Sequence, residues 1–156
     1  MPVFEILPLH SVGPARLGAT RVEVRQAMDA SGFPLQTAHG NCDYFSNAAM
    51  QIEYGADDKA LFIGVSGGAA FRVVFKGVDV FNLPANEVFA LMADADGSGP
   101  HDFNSDEYCF PNQILTLWDA DEQYDRDGDE TRPIWAQVGI GSGAYLAAIV
   151  AIDTKA

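Results

Sequence analysis

Apolar residues recur at helical spacing in two segments of the chain. In the first, Thr20 and Glu23 form a Ser/Thr-x-x-Glu capping box, which satisfies backbone amides at a helix start. The apolar positions that follow, ending at Met28, keep to one helical face. The pattern predicts a helix over residues 21–30 that ends near Gly32, because glycine readily adopts the left-handed conformation of a helix end.

The second helical segment follows Pro84. Proline suits a helix start, because its missing N–H would have no partner in the first turn. Val88, Leu91 and Met92 form the buried stripe of the predicted helix. The pair Asp96-Gly97 is predicted to end it.

Alternating or continuous apolar segments of strand length follow each helix. The predicted strands lie at residues 48–54, 60–66 and 71–78 after the first helix, and at 114–118, 133–140 and 145–152 after the second. Along the fourth predicted strand, Ile114, Thr116 and Trp118 are predicted to lie on the same face, the buried face of the sheet. Gly67-Gly68 and Gly141-Ser142-Gly143 are predicted hairpin turns, and residues 119–132 are a longer connection.

The two helical units also match each other in sequence at an offset of 64 residues. Matched pairs are Gly13 and Gly77, Glu23 and Glu87, Tyr44 and Tyr108, and Tyr54 and Trp118. Past an insertion of about ten residues in the second unit, the offset becomes 74. The sequence therefore predicts one domain over residues 1–156, built of two repeats at about 12–76 and 77–153.

In the predicted α+β fold, each repeat is a helix followed by a three-stranded antiparallel meander. Two helices pack on a sheet of about six strands, with short edge strands near residues 4–7 and 78–81. The composition agrees with a folded domain, because 48% of the 156 residues are hydrophobic. No apolar run has membrane-spanning length and the first residues lack a signal-peptide pattern, so we expect a cytoplasmic protein and no membrane contact.

Charge divides the two repeats. Residues 1–78 hold six basic and seven acidic side chains, a net charge of −1, whereas residues 79–156 hold three basic and fifteen acidic ones, a net charge of −12. Between Asp94 and Glu130, Arg126 alone opposes twelve acids. Such a field repels nucleic acid and attracts basic proteins.

The inserted segment of the second repeat is the strongest candidate for a binding surface. It is dense in acids, and aromatic residues of the kind that anchor protein interfaces accompany them. The alternative is a solubilising loop without a partner. The predicted partner-binding residues are Asp106, Glu107, Trp118, Asp119, Asp121, Glu122, Tyr124, Asp125, Asp127, Asp129 and Glu130.

Residue patterns for catalysis or for a cofactor are weak. The three histidines, His10, His39 and His101, show no metal-ligand or triad spacing. Around Gly128 and around Gly97 the positions that would carry the first and last ligands of an EF-hand are wrong, although a looser divalent-ion site stays open. We therefore expect no catalytic residue, no metal site, no cofactor and no enzymatic activity.

The chain has two cysteines, Cys42 and Cys109. They are expected to be partly buried free thiols in a reducing compartment, and a disulfide between them is the alternative. The sequence leaves the oligomeric state open.

The helix starts resemble a known pattern. Residues 13–24 read Gly-Pro-x-x-Leu-Gly-x-Thr-x-x-Glu-Val, and residues 77–88 look like a second copy. This resembles the Gly-Met-Thr-x-x-Glu-Val helix start of small bacterial α/β repeat proteins, among them the outer-membrane assembly lipoproteins related to small protein A. Ala19 stands where those proteins usually have Met.

The layout is also similar to that of the secreted β-lactamase inhibitor protein, and to small acidic immunity proteins encoded beside polymorphic or contact-dependent growth-inhibition toxins. The resemblance implies a protein-binding scaffold. Together with the acidity of the second repeat and the weak catalytic patterns, it leads to the hypothesis of an immunity protein that inhibits a basic, nuclease-type toxin by covering its active site. The alternative is a ligand-binding or enzymatic α+β domain, with Tyr44, Tyr108 and His101 lining a cleft between helices and sheet.

Overall fold

The computed structural model describes residues 1–68, 70–124, 128 and 131–155, which form an α+β fold. Within these residues the helices are α1 (Arg21–Ala30), α2 (Ala85–Asp96) and α3 (Gly143–Lys155). The strands are β1 (Val3–Leu7), β2 (Ser11–Val12), β3 (Ala15–Arg16), β4 (Leu35–His39), β5 (Cys42–Phe45), β6 (Met50–Tyr54), β7 (Ala60–Val65), β8 (Arg72–Phe75), β9 (Val78–Asp79), β10 (Glu107–Phe110), β11 (Leu115–Tyr124) and β12 (Thr131–Gly141).

The two predicted helices are confirmed at their predicted bounds. The capping box of α1 is complete: the Glu23 amide donates to Thr20 Oγ1 at 3.2 Å, and the Thr20 amide donates to Glu23 Oε1 at 3.1 Å. At the C-terminal end of α2, Gly97 takes the left-handed conformation with φ of 64°. Local sequence therefore fixes both helix starts and the end of α2.

The strands form two sheets, where a single sheet of about six was predicted. A seven-stranded sheet has the order β10-β11-β12-β7-β6-β5-β4, and a five-stranded sheet has the order β3-β2-β1-β8-β9. In the larger sheet the antiparallel meanders β5-β6-β7 and β10-β11-β12 meet where β7 pairs with β12. The matched residues Tyr44 and Tyr108 lie in β5 and β10. The division into two repeats stays a prediction.

Each meander lies one strand earlier in the chain than predicted. Strand β10 begins the second meander, and in the first meander β5 precedes β6 and is itself preceded by β4, which pairs antiparallel with it. The segment predicted as the third strand of each meander lies elsewhere. Residues 72–75 form β8, which pairs in parallel with β1 in the smaller sheet. The segment 145–152 lies inside α3, so its prediction as a strand was wrong, because an apolar run of this length has no periodicity that separates strand from helix.

The glycine-rich segments are consequently not hairpin turns. Gly67 and Gly68 lie on the path from β7 to β8, which leads from one sheet to the other. Gly141 is the last residue of β12, and Gly143 begins α3. The predicted long connection over residues 119–132 was also wrong at both ends, because β11 continues to Tyr124 and β12 begins at Thr131.

The predicted face of the fourth strand was wrong as well. Leu115 and Leu117 are buried in the core, whereas the side chain of Trp118 is 53% exposed. Ile114 precedes the strand with a positive φ of 53°, and this shifts the alternation of the residues that follow. Trp118 is thereby placed on an accessible surface.

A single cluster of buried residues joins α1 and α2 to both sheets. It includes Met28 of α1, Met92 of α2, Ile63 of β7 and Phe4 of β1. The indole N–H of Trp135 donates to the Ala85 carbonyl oxygen at 3.0 Å and so ties β12 to the start of α2. Helix α3 lies on the other face of the larger sheet, because its Tyr145 stacks on Phe62, the strand neighbour of Ile63.

Candidate partner-binding surface

Strand β10 and the adjoining part of β11 carry a group of exposed acids at the edge of the larger sheet. This group, the acidic arm, consists of the exposed side chains Asp106, Glu107, Asp119, Asp121 and Glu122. Backbone hydrogen bonds bring its two sides together: the Asp119 amide donates to the Asp106 carbonyl at 2.6 Å, and the Ala120 amide donates to the Ser105 carbonyl at 2.8 Å. These bonds place Asp119 beside Asp106, from which it is separated by 13 positions in the chain.

The acidic arm contains five of the predicted partner-binding residues, and Trp118 lies beside them. Trp118 pairs in register with Glu107 across β10 and β11, so the two side chains share one face. The backbone of Tyr124 ends β11. The remaining predicted residues, Asp125, Asp127, Asp129 and Glu130, lie outside the described residues.

The carboxylates of the acidic arm are unpaired within the described part of the chain. None of the five lies within ion-pair distance of a basic side chain there. The ion pairs between described residues instead join Arg16 to Glu23, Arg21 and Arg25 to Asp43, and Arg72 to Asp79. A surface of unpaired like charges is electrostatically unfavourable and favours contact with a basic partner.

Edge position gives these charges a second role. Charged side chains on an edge strand oppose pairing with the edge of another sheet, and β10 is an edge strand. This role accounts for charge on β10 itself. It accounts equally for Asp121 and Glu122 on β11, because β10 pairs with β11 only over Leu115–Trp118 and the later residues of β11 have no strand partner on that side among the described residues.

Two other carboxylates serve the fold. Asp43 is fully buried and accepts hydrogen bonds from both arginines of α1, with Arg21 Nη2 and Arg25 Nη2 each 2.7 Å from Oδ1. Asp96, at the end of α2, accepts from the backbone amides of Asn112 at 3.2 Å and Gln113 at 2.6 Å. Neither carboxylate is available to a partner.

A hydrogen-bonded chain of three side chains lies beyond the end of α2. His101 Nε2 is 2.6 Å from Ser98 Oγ, and His101 Nδ1 is 2.5 Å from Tyr108 Oη. Phe89 and Phe110 pack against the rings of Tyr108 and His101 respectively. A cavity of about 580 Å³ lies beside His101, between α2 and the loop that follows it.

Sequence reasoning named two members of this chain and missed Ser98. Ser98 lies three residues before His101, but this spacing alone does not indicate that the two side chains form a hydrogen bond. The structure does not bring Tyr44 to this place, because β5 and β10 are separated by four strands of the sheet. The predicted grouping of Tyr44 with Tyr108 and His101 was therefore wrong.

Between α3 and the larger sheet lies a further cavity, of about 450 Å³. Phe62 and Tyr145 form one wall, their ring centroids 4.7 Å apart and their planes 25° from parallel. Trp118, Glu107 and Tyr108 line it from the side of the acidic arm. Phe62 and Tyr145 were not predicted as site residues, because Tyr145 was assigned to a strand.

Metal and thiol chemistry find little support in the part of the chain that is described. No group of three or more His, Cys, Asp or Glu side chains is placed there to hold a metal ion. Cys42 and Cys109 are free and half-buried, and burial, together with the charge of Asp96, raises the pKa of the Cys109 thiol. The arrangement of side chains that stands out is therefore acidic and aromatic.

Comparison of the chain with protein-family models, curated protein sequences and solved structures finds no match. Across the described residues, each helix falls short of the length and apolar character that crossing a bilayer requires. The functional argument therefore rests on the chemistry of the surface itself.

Proposed function

We propose that the protein is a bacterial immunity protein that binds a basic toxin, of nuclease type, and covers its active site. The observation that carries this proposal is the acidic arm, five exposed carboxylates without basic partners among the described residues, next to the exposed indole of Trp118. In the proposal the protein acts in the cytoplasm, where its cognate toxin would otherwise act.

The acids and the tryptophan of this surface are expected to have different roles in binding. Nucleases bind a polyanion, so their active-site clefts are positively charged, and a field of opposite sign accelerates encounter with such a cleft. Exposed charges at the rim of an interface mainly set the association rate, whereas buried aromatic anchors set the dissociation rate. The acids are thus assigned to association, and Trp118 to the lifetime of the complex.

The test is co-expression with the toxin encoded beside this gene. We expect the intact protein to restore growth and to co-purify with the toxin. Trp118→Ala should shorten the lifetime of the complex at least about tenfold, within the range of interface hot spots. Val22→Ala is the matched control, because Val22 is an exposed apolar side chain, 60% accessible, on α1. Failure of the intact protein both to bind and to protect would refute the proposal.

A second candidate function is supported by the Ser98, His101 and Tyr108 chain. Serine hydrolysis needs a hydroxyl hydrogen-bonded to an imidazole and a third group that orients the imidazole, and these three side chains have that connectivity. Neutral Tyr108 lacks the charge with which a carboxylate stabilises an imidazolium, and this disfavours the candidate. A fluorophosphonate probe decides it: labelling lost in Ser98→Ala and kept in Ser105→Ala would support hydrolysis.

A further inference from the structure

The cavity between α3 and the larger sheet, called here the α3 cavity, combines aromatic walls with negative charge. Among the described side chains, its lining includes three aromatic rings on the α3 face of the sheet, one carboxylate and no basic group. The aromatic rings are those of Phe62, Trp118 and Tyr145, and the carboxylate is that of Glu107. The amide of Gln137 adds a polar group to the same lining.

Two glycines, which carry no side chain, shape this cavity and the contact between α3 and the sheet. Gly64 and Gly139 pair in register on β7 and β12, at the centre of the sheet. A Cβ atom at Gly64 would lie 2.6 Å from the Gln137 side-chain nitrogen, and one at Gly139 would lie 2.8 Å from the Phe62 ring. At Gly139 the Ile63 carbonyl oxygen would also lie 2.9 Å from the Cβ atom, so this position requires glycine, whereas at Gly64 the flexible Gln137 side chain would have to move.

Carboxylates lie on two sides of the aromatic wall. Glu107 pairs in register with Trp118, and Glu53 pairs in register with Phe62. The effect reaches Tyr145: burial, together with the negative charges of Glu53 and Glu107, raises its pKa to about 12. The negative charges of Glu53 and Glu107 favour a positive charge in the same place, whereas burial disfavours a charge of either sign.

We propose that the α3 cavity binds an organic cation, an ammonium or guanidinium group, between the rings of Trp118 and Tyr145 and the carboxylate of Glu107. Aromatic faces attract such cations through their quadrupole, tryptophan most strongly, and a nearby carboxylate adds direct charge attraction. The volume of about 450 Å³ suits a small ligand or one basic side chain. The proposal is independent of toxin binding, because cation binding is measured on the protein alone.

Choline and its neutral isostere 3,3-dimethylbutan-1-ol test the role of charge at nearly constant shape. We expect choline to bind with a dissociation constant on the order of 1 mM, as suits a ligand of few atoms, and the neutral alcohol to bind at least about tenfold more weakly. Both would be titrated into the full-length protein and followed by the indole N–H signals in NMR spectra. Equal affinity for the two probes would overturn the proposal.

The two tryptophans locate the binding site within the same spectrum. Trp118 lines the cavity, whereas Trp135 is 1% exposed and donates its indole N–H to Ala85. Choline should shift the Trp118 signal and leave that of Trp135 unchanged. A shift confined to Trp135, or to neither signal at saturating choline, would also contradict the proposal.

Glu107→Gln removes the carboxylate from the cavity and keeps its shape. We expect choline affinity to fall at least about fivefold, because the charge contact is lost. Glu122→Gln is the matched control: Glu122 is an exposed acid of the same arm that does not line the cavity, so its loss should change affinity less than about twofold. Equal losses in the two variants would show a general field and no defined site.

A further titration distinguishes two sources of the cation, a basic side chain of a partner protein and a free small molecule. N-acetylarginine methylamide and a short arginine-containing peptide would be compared with choline and tested for competition with it. Peptide affinity well above that of the isolated group would identify a basic side chain of a partner protein as the ligand. Equal or weaker peptide affinity would identify a free small molecule.

Discussion

Asp43 is fully buried and carries the charge that fixes α1 to the larger sheet. Arg21 and Arg25, one helical turn apart, both donate to it, and the Tyr54 hydroxyl donates at 3.0 Å. Burial by itself would raise the pKa of Asp43, but the hydrogen bonds from Arg25, Arg21 and Tyr54 hold it below its ordinary value. The carboxylate is therefore ionised at neutral pH, and removing its charge leaves two guanidinium groups without their acceptor.

We predict that Asp43→Asn lowers the free energy of unfolding by about 3 kcal/mol, the lower end of the range for breaking a buried ion pair. The lower end applies because Arg25 keeps 36% of its side chain exposed and is partly solvated. Urea unfolding measures the change. Asp29→Asn is the control, since Asp29 is exposed, and it should change stability by less than about 0.5 kcal/mol.

Acid should remove this contribution. The pKa of Asp43 is lower in the folded protein than in the unfolded chain, where it is about 3.9, so its stabilisation is complete above that value. It is lost as the pH falls through the folded-state pKa. The stability difference between wild type and Asp43→Asn should thus shrink as the pH is lowered below about 4. An unchanged difference between pH 7 and pH 3 would contradict this account.

At the scale of elements, α3 depends on a strip of glycines in the sheet beneath it. The ring of Tyr145 packs against Gly141, where a Cβ atom would collide with that ring and lie 2.9 Å from the Ile114 side chain. Helix α3 is apolar on all sides, so the sequence of the helix does not select which of its faces meets the sheet. The stack of Tyr145 on Phe62, above these glycines, selects it.

We predict that Gly141→Ala displaces α3 and lowers the free energy of unfolding by about 1–3 kcal/mol, as expected for overpacking. Faster hydrogen exchange of the α3 amides measures the displacement. Gly143→Ala is the matched control, because a Cβ atom there meets nothing within 4 Å. If the collision is the cause, Gly141→Ala should cost far less in a Tyr145→Ala background, whereas additive costs would exclude it.

At the scale of the whole molecule, charge is distributed unequally along a nearly regular sheet. The net charge is −13, and −12 of it lies in residues 79–156. In the larger sheet, that half of the chain supplies β10, β11 and β12 at one edge, together with the acidic arm. The five carboxylates of the acidic arm lie at this edge, and their field would orient an approaching basic protein toward it.

We predict that the association rate with the basic toxin falls at least about tenfold between about 0.02 M and 0.5 M salt, because salt screens steering between exposed charges. Stopped-flow mixing measures the rate. Neutralising Asp119, Asp121 and Glu122 together should slow association at low salt and flatten its salt dependence. Neutralising Asp29, Asp57 and Asp58, the same change of net charge on the first half, is the control and should have a much smaller effect.

An association rate that does not depend on salt would contradict electrostatic steering of the toxin. It would not contradict the proposal that the protein covers the active site of the toxin. Equal effects of the two triple variants would show that net charge matters and its position does not. The location of the acidic arm is thereby tested separately from the total charge.

The sequence by itself determined the features that arise from contacts between near neighbours. Helices α1 and α2 follow from the Thr20 capping box, Pro84 and Gly97, because a helix end is satisfied by residues within one turn. The alternation in β6 and the concentration of acids after residue 78 are equally local properties. The composition of the acidic arm was therefore predictable from the sequence, and its role as a binding surface stays a prediction.

Only the tertiary structure decided what depends on pairing between distant segments. The run that forms α3 fits a strand or a helix, and the sheet face with Gly139 and Gly141 gives it a helix-sized place to pack. The pairing of β7 with β12 and the pairing of β8 with β1 in a second sheet both join residues far apart in the chain. Such contacts compete among many alternatives of similar local energy, and only packing of the whole core selects one of them.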